Sequence, residues 1–102
     1  MANVKVNWVL PDTRDSGKPL NVGEIDFVSI SISSDGGANF GEYGQYEPSV
    51  LETTVTDLEP GEWFFSGVVV DIGGKSSKTT KASIVLPDDT PPGALLSLTL
   101  TL

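Results

Sequence analysis

Apolar and polar residues alternate along most of this chain in short runs that turn-forming residues separate. The first run has apolar residues at every second position: Val4, Val6, Trp8 and Leu10. A period of two predicts strands with one buried face, and no amphipathic helix pattern occurs. Further runs predict strands over 23–33, 40–46, 50–58, 63–70 and 82–86. Strands at this spacing, with turn signals between them, are typical of an all-β sandwich.

The alternation changes its phase inside the second run. Ile25 and Phe27 have the opposite parity to Val28 and to the alternate apolar residues after it. An extra residue in a strand produces such a change, so the sequence predicts a β-bulge near Phe27. Asp35-Gly36-Gly37 then predicts a hairpin turn. The glycine-interrupted run over 40–46 predicts an irregular edge strand.

The longest apolar strand follows a tight turn at Pro60-Gly61, where proline presets φ and glycine tolerates a positive φ. One face of this strand carries Trp63, Phe65, Gly67 and Val69, and the other carries Phe64, Ser66, Val68 and Val70. The two tryptophans of the chain, Trp8 and Trp63, are predicted to be core residues. An outer face that is apolar is usually covered, so Phe64, Val68 and Val70 are candidates for a protein interface.

A second candidate interface lies at the C-terminal end. Residues 87–93, Pro-Asp-Asp-Thr-Pro-Pro-Gly, have the composition of a linker, yet residues 94–102 alternate again. Leucines are concentrated there: Leu95, Leu96, Leu98, Leu100 and Leu102. All but Leu95 share one face, which predicts a strand rather than a disordered tail. The sequence therefore predicts a sandwich over 1–86, a linker over 87–93 and a C-terminal strand arm over 94–102.

Several landmarks occur in the order and spacing of a fibronectin type III domain around its sixth strand: Leu58, Pro60, Gly61, Trp63 and Asp71. The run 4–11 resembles the second strand of that family, and 23–33 resembles the third. The resemblance implies an immunoglobulin-like β-sandwich that lacks the usual first strand. The family usually has a tyrosine at the position of Trp63, and the indole N–H can replace the phenol as the hydrogen-bond donor of that corner.

The absent first strand and the extra last strand together suggest a mechanism of assembly. A missing strand leaves a core edge uncovered, and the leucine arm exposes apolar side chains and unpaired backbone groups. A linker of seven residues spans at most about 23 Å, so filling the vacant position of the same domain in the usual direction is strained. We expect the arm to join a neighbouring copy head to tail. Packing on its own domain and binding to an unrelated protein remain alternatives.

Composition restricts the chemistry. The 102 residues suffice for one globular domain, and the net charge of −8, with no basic residue between Pro19 and Gly74, argues against a nucleic-acid partner. No apolar run is long enough for a membrane span. Histidine and cysteine are absent, and the carboxylates of Asp12 and Asp15 lie in a predicted loop. We therefore expect no catalytic residue, no cofactor and no metal site.

Two classes of function fit these expectations. The resemblance implies a lone module of the kind found among accessory virion proteins of tailed bacteriophages, which decorate a capsid or belong to the neck or tail. Such a protein is not an enzyme, is made in the host cytoplasm, and binds copies of itself and other virion structural proteins. The alternative is a carbohydrate- or protein-binding module cut from a larger secreted enzyme or adhesin. Its ligand would be a surface glycan or a receptor, with the region around Tyr43 among the contacts.

Overall fold

The computed structural model describes residues 2–88 and 90–102; Met1 and Asp89, which belong to the predicted sandwich and linker, lie outside the described residues. Within these residues the chain forms six strands: β1 (Ala2–Asn7), β2 (Ile25–Ser33), β3 (Gly41–Tyr46), β4 (Glu52–Leu58), β5 (Gly61–Asp71) and β6 (Thr80–Leu86). One turn of 3-10 helix, Val22–Glu24, precedes β2. The predicted all-β class is confirmed.

The strands form two antiparallel sheets that enclose the core. One sheet is the pair β1-β4, and the other has the order β3-β2-β5-β6. The buried side chains come from both sheets: Val55, Leu58, Phe65 and Leu86 form the central cluster. Val4 and Val6 of β1 pack against it, as their alternation with polar neighbours predicts. The molecule is therefore a β-sandwich with sheets of unequal width.

The inward face of the wider sheet follows from its register. Phe65 is buried, and it lies opposite Ile32 of β2 and Ala82 of β6. Directly opposed residues in antiparallel strands point to the same face, so these side chains share the inward side. The predicted bulge is confirmed, because the register of β2 against β5 shifts between Ile25 and Phe27. Ile25 is buried, whereas Phe27 lies after the shift, opposite Val70.

The turn into β5 is fixed by a side chain that bonds to the backbone. Gly61 has a φ of 133°, which an L-residue adopts only with strain. Trp63 donates a hydrogen bond from Nε1 to the carbonyl oxygen of Glu59 at 2.9 Å. The expectation that the indole N–H serves as donor in this corner is therefore confirmed. Trp63 also packs against the central cluster while remaining partly exposed.

One side of the sandwich is closed by aromatic side chains. Tyr43 donates a hydrogen bond to the carbonyl oxygen of Thr54 at 3.3 Å, and the hydroxyl groups of Tyr46 and Thr53 lie 3.1 Å apart. The ring of Trp8 lies 5.3 Å from that of Tyr46, centroid to centroid. These contacts join the β3 edge of the wide sheet to the β1-β4 sheet. The predicted irregularity of β3 is present as a register shift opposite Ile30 and Ser31.

The C-terminal arm, residues 94–102, is the main departure from the sequence prediction. No strand is assigned to it, and every one of its residues is exposed. The described chain measures 82 Å along its longest axis but only 24 and 20 Å across. The predicted C-terminal strand is therefore not formed in the single chain. The physical reason is that a strand needs a hydrogen-bonded neighbour, and the sandwich of the same chain supplies none to this segment.

The sandwich has two ends, which we call the exit end and the opposite end. At the exit end, β1 begins and β6 ends at Leu86, so the linker leaves the body there. At the opposite end, β1 and β5 end and β6 begins. A long loop over 8–21 lies at this opposite end, where Arg14 bonds to Glu24 at 2.9 Å and to Asp71 at 3.0 Å. These two carboxylates therefore neutralise a loop arginine.

Candidate assembly interface

The C-terminal arm presents apolar surface to solvent. Its five leucines, Leu95, Leu96, Leu98, Leu100 and Leu102, each have an exposed fraction of 79% or more. Scattered exposed leucines are ordinary on protein surfaces, but a continuous row of them marks an interaction site or an aggregation hazard. The linker begins with a local turn, because Thr90 donates hydrogen bonds from its backbone N–H and its hydroxyl to the Asp88 carboxylate. The arm thus projects with its backbone groups free to pair.

The sandwich has an open side opposite the one that the tyrosines close. A groove of about 570 Å³ runs between β1 and β6, and we call it the edge groove. Its wall and floor include Val6, Trp8, Ile30, Phe65, Gly67 and Ala82. Gly67 has no side chain, and this deepens the floor. A Cβ at this position would fill the space next to Ile30, at 3.4 Å from its Cδ1. The edge groove therefore reaches the side chains that line the core.

The inward face of β6, beside the edge groove, is not covered by the facing sheet. Ala82 and Ile84 lie opposite Phe65 and Trp63, so they point to the core side of the sheet. Both are nevertheless exposed, Ile84 by 42%, and on this face of β6 burial is reached only at Leu86. Inward residues of a sandwich are normally covered by the facing sheet. The β1-β4 sheet has two strands against four in the facing sheet, so it is too narrow to cover β6.

The backbone of β1 has a free side next to the edge groove. The N–H of Trp8 donates to the carbonyl oxygen of Leu51 at 3.0 Å, so the Trp8 backbone faces β4. Backbone groups alternate in direction along an antiparallel strand, so those of Asn7 and Lys5 point away from β4. Within the described part of the chain, no strand pairs with this side of β1. The free side is a ready acceptor for an added strand.

The outer face of β5 is less open than the sequence predicted. Phe64, Val68 and Val70 are partly buried, and none of them ranks among the exposed large apolar residues. Phe64 and Phe40 both lie close to Gly37, within 3.8 Å of the position of its missing Cβ. Nζ of Lys81 lies 5.5 Å from the centroid of the Phe40 ring. Side chains of the same chain therefore cover part of this predicted interface.

The basic residues are distributed unevenly over the sandwich. Four of the six lie in loops at the opposite end: Arg14, Lys18, Lys75 and Lys78. Lys78 lies 3.9 Å from Asp15, and both line the edge groove. The described loops of the exit end contain no lysine or arginine, and Asp57 and Glu59 lie there. The loops of the opposite end also contain Asp12, Asp15 and Glu47, so their charges nearly cancel, and the end from which the acidic linker leaves is the more negative one.

A carboxylate turn holds the loop between β2 and β3. Ser33 donates a hydrogen bond from its hydroxyl to Asp35, and the Asp35 carboxylate also accepts bonds from the backbone and side chain of Asn39. These bonds, that of Ser33 first, lower the pKa of Asp35 to about 2. Ser33 is itself buried and accepts a hydrogen bond from the N–H of Gly37. The predicted hairpin turn is therefore tied to its own strand.

This turn gives a prediction that NMR can check. Because the folded-state pKa of Asp35 is lowered, its contribution to stability is present above the ordinary pKa near 4 and is lost as the pH falls through about 2. We expect the carboxyl carbon of Asp35 to titrate with a midpoint near 2. In Ser33→Ala the midpoint should rise towards the ordinary value, because the first bond is gone. A wild-type midpoint near 4 would contradict the described turn.

Sequence reasoning anticipated an uncovered core edge but not the residues that form it. The last strand was predicted over 82–86, and the register places Ala82, Ile84 and Leu86 on its inward face. Their exposure depends on how far the facing sheet extends, which no local pattern encodes. Val6, Ile30 and Gly67 were assigned to strands without any role in a groove. The spacing of Gly67 within a continuous apolar strand was the available signal.

Comparison with known proteins identifies no family for this chain. Neither the models of known protein families nor the curated protein sequences match it. In the described ranges, 2–88 and 90–102, no group of three or more acidic residues is arranged to hold a metal ion. The same ranges contain no helix with the length and apolar character that crossing a membrane requires. The arm and the edge groove are accordingly the features on which a function can be argued.

Proposed function

We propose that this protein is a non-enzymatic structural protein that assembles with copies of itself through its C-terminal arm. The observation that carries the proposal is the exposed row of leucines beside a sandwich whose core edge is open. An arm that exposes apolar side chains and a groove that exposes core residues are both unfavourable in isolation. Burying one against the other removes both exposures. The contact joins different surfaces of two copies, so it generates rings or linear arrays.

The setting that we propose is the virion of a tailed bacteriophage, with the protein as an accessory component of the capsid, neck or tail. The order β3-β2-β5-β6 beside β1-β4 supports the resemblance to a fibronectin type III domain without its first strand. The corner bond from Trp63 to Glu59 supports it as well. Virion proteins are held in repeated arrays, for which a subunit that exposes both a donor segment and an acceptor groove is suited. Other virion proteins with a free strand edge are further partners of the arm under this proposal.

The energy available to such a contact comes mainly from the leucines. Complete burial of one leucine side chain contributes about 1.5–3 kcal/mol. Backbone hydrogen bonds to a free strand edge add register and direction more than net energy, because the same groups are hydrated in the separate subunits. Association also has to offset the loss of translational and rotational freedom, which costs about 4–15 kcal/mol. The assembly should therefore respond strongly to the number of leucines in the arm.

Light scattering at several protein concentrations tests the proposal. The intact chain is compared with a chain that ends at Pro87, which keeps all six strands and all residues of the central cluster. We expect the intact chain to form an oligomer of defined mass. We expect the shortened chain to be monomeric at the same concentrations.

Each other outcome counts against the proposal in a specific way. If the shortened chain forms the same oligomer, the contact lies on the sandwich, and the outer face around Phe64 replaces the arm as the interface. If both chains stay monomeric up to about millimolar concentration, self-assembly through the arm is excluded at cellular concentrations. A glycan or receptor-binding module would then be the better interpretation.

A further inference from the structure

We infer that the edge groove is the acceptor for the arm of a second copy, and that the arm enters as an additional strand of the β1-β4 sheet, antiparallel to β1. The inference deepens the proposed function and rests on the strand donation described there. It assigns the acceptor surface, the paired strand and the direction. Three independent features of the sandwich lead to it.

The first feature is the exposed inward face of β6. An arm that paired with the free edge of β6 would widen the already wider sheet and leave Ala82 and Ile84 uncovered. An arm that pairs with β1 instead lies in the narrow sheet and faces β6 across the groove. Its leucines then cover Ala82 and Ile84 and close the opening that reaches Phe65. Pairing with β1 therefore narrows the difference in width between the two sheets on the side where the groove is open.

The second feature is the agreement between the two alternating patterns. In β1 the side chains of Val4 and Val6 point inward, and Trp8, directly after β1, lines the same groove. The backbone groups of Lys5 and Asn7 point to the free side. Antiparallel pairing of Asn7 with Ser97 also pairs Lys5 with Thr99. The leucines then fall opposite the inward residues, in this order: Leu96 with Trp8, Leu98 with Val6 and Leu100 with Val4. Apart from Leu95, the outward side chains of both strands are polar, so one register satisfies both patterns.

The third feature is charge, which selects the direction. An arm that runs antiparallel to β1 enters at the opposite end of the acceptor, because β1 ends there. Its acidic linker, which contains Asp88, then lies on the side of Lys18 and Lys75, and of Lys78, which lies 3.9 Å from Asp15. A parallel arm would bring the same linker to the exit end, beside Asp57 and Glu59. Opposite charges attract and like charges repel across such a contact, so the antiparallel direction is favoured.

The direction in which the arm leaves its own sandwich favours a second copy as the protein that it enters. The arm leaves its own sandwich at the exit end, whereas the antiparallel arrangement requires it to begin at the opposite end. The linker would have to run back along the whole of β6 to do so within one chain. In the structure the segment 90–102 is exposed throughout, and the described chain is 82 Å long but only 24 and 20 Å across, so the segment extends away from the sandwich. A neighbour stacked end to end presents its own opposite end directly to the arm.

A charged residue in the groove tests the acceptor surface. Ala82→Arg places a cation on the inward, exposed face of β6, and Ser83→Arg places the same cation on the outward face of the same strand. Both positions are exposed in the single chain, so we expect both variants to keep the circular dichroism spectrum of the wild type. Ala82→Arg should weaken the concentration-dependent association seen by light scattering at least tenfold. Ser83→Arg should leave it within twofold of the wild type.

Disulfide trapping tests the strand and its direction without depending on that variant. The chain has no cysteine, so an equimolar mixture of Ser97→Cys and Asn7→Cys chains can form only engineered links. After mild oxidation, mass spectrometry should find the link between positions 7 and 97 in excess over two controls. The first control pairs Asn7→Cys with Thr101→Cys, which a parallel arm would favour. The second pairs Gln45→Cys with Ser97→Cys, which addition to the β3 edge would favour.

The outcomes separate this inference from the proposed function. If the wild-type chain self-associates but either control link predominates, the acceptor or the direction assigned here is wrong while arm-mediated assembly stands. Equal weakening by Ala82→Arg and Ser83→Arg would also overturn the groove as acceptor. A wild-type chain that stays monomeric would overturn both. Predominance of the 7–97 link together with a selective effect of Ala82→Arg supports both.

Discussion

Replacing Phe65 by alanine is expected to lower the free energy of unfolding by about 3–5 kcal/mol, as loss of a buried aromatic ring generally does. The ring is buried at the centre of the cluster formed with Val55, Leu58 and Leu86. It also lines the edge groove, so its loss exposes the core to solvent at a place that the facing sheet does not cover. For a domain of this size such a loss is a large part of the total stability. We expect Phe65→Ala to be largely unfolded near 37 °C.

The neighbouring residue provides a matched control. Phe64 points to the other face of the same strand and is only partly buried. Phe64→Ala should therefore lower the free energy of unfolding by less than half as much as Phe65→Ala. Urea denaturation followed by tryptophan fluorescence measures both. Equal losses for the two variants would contradict the assignment of Phe65 to the inward face.

Removing the apolar face of the arm is expected to abolish assembly while the sandwich stays folded. Serine at positions 96, 98 and 100 removes three leucines, each of which contributes about 1.5–3 kcal/mol when buried. Since about 1.4 kcal/mol corresponds to a factor of ten in an equilibrium constant, the dissociation constant should rise by at least a thousandfold. None of the three side chains is buried in the single chain, so its unfolding curve should be unchanged.

The polar face of the arm supplies the control for this prediction. Alanine at Ser97, Thr99 and Thr101 changes the same number of residues in the same segment but leaves the leucines in place. We expect these substitutions to change the dissociation constant by less than tenfold. Sedimentation velocity over a range of concentrations measures all three proteins. A similar loss of association in both triple variants would show that the leucine face is not the surface that is buried.

The strands of the sandwich could be predicted because their signals are local. Alternation placed Val4 and Val6 inward, and the change of phase near Phe27 located the bulge. The corner at Trp63 was expected from the resemblance to a fibronectin type III domain, with the indole N–H in place of the usual phenol as donor. The first strand was predicted to continue to Pro11 but ends at Asn7. The side chain of Val9 is 94% exposed, so the chain has left the sheet there although apolar residues continue.

The arm and the groove were harder to predict because both depend on what lies beside a strand. Alternation over 94–102 correctly identified a segment suited to pairing, but a strand forms only when a neighbour offers its backbone, and the single chain offers none. The width of the β1-β4 sheet likewise follows from the number of strands on each side. Local sequence therefore placed Ile84 in a strand but did not indicate that its side chain is exposed.

The separation of the arm from the body has a consequence for the speed of assembly. In strand exchange between closed monomers, a packed strand must first leave its own sheet, and the exchange waits for partial unfolding, which is slow for stable domains. Here the donor segment is already outside and the acceptor is already vacant, while the tyrosine contacts hold the far side of the sandwich together. Subunit addition should accordingly proceed at the ordinary rate of protein encounter, about 10⁵–10⁷ M⁻¹s⁻¹. The supply of newly made chains, rather than their refolding, would then set the time needed to complete an array.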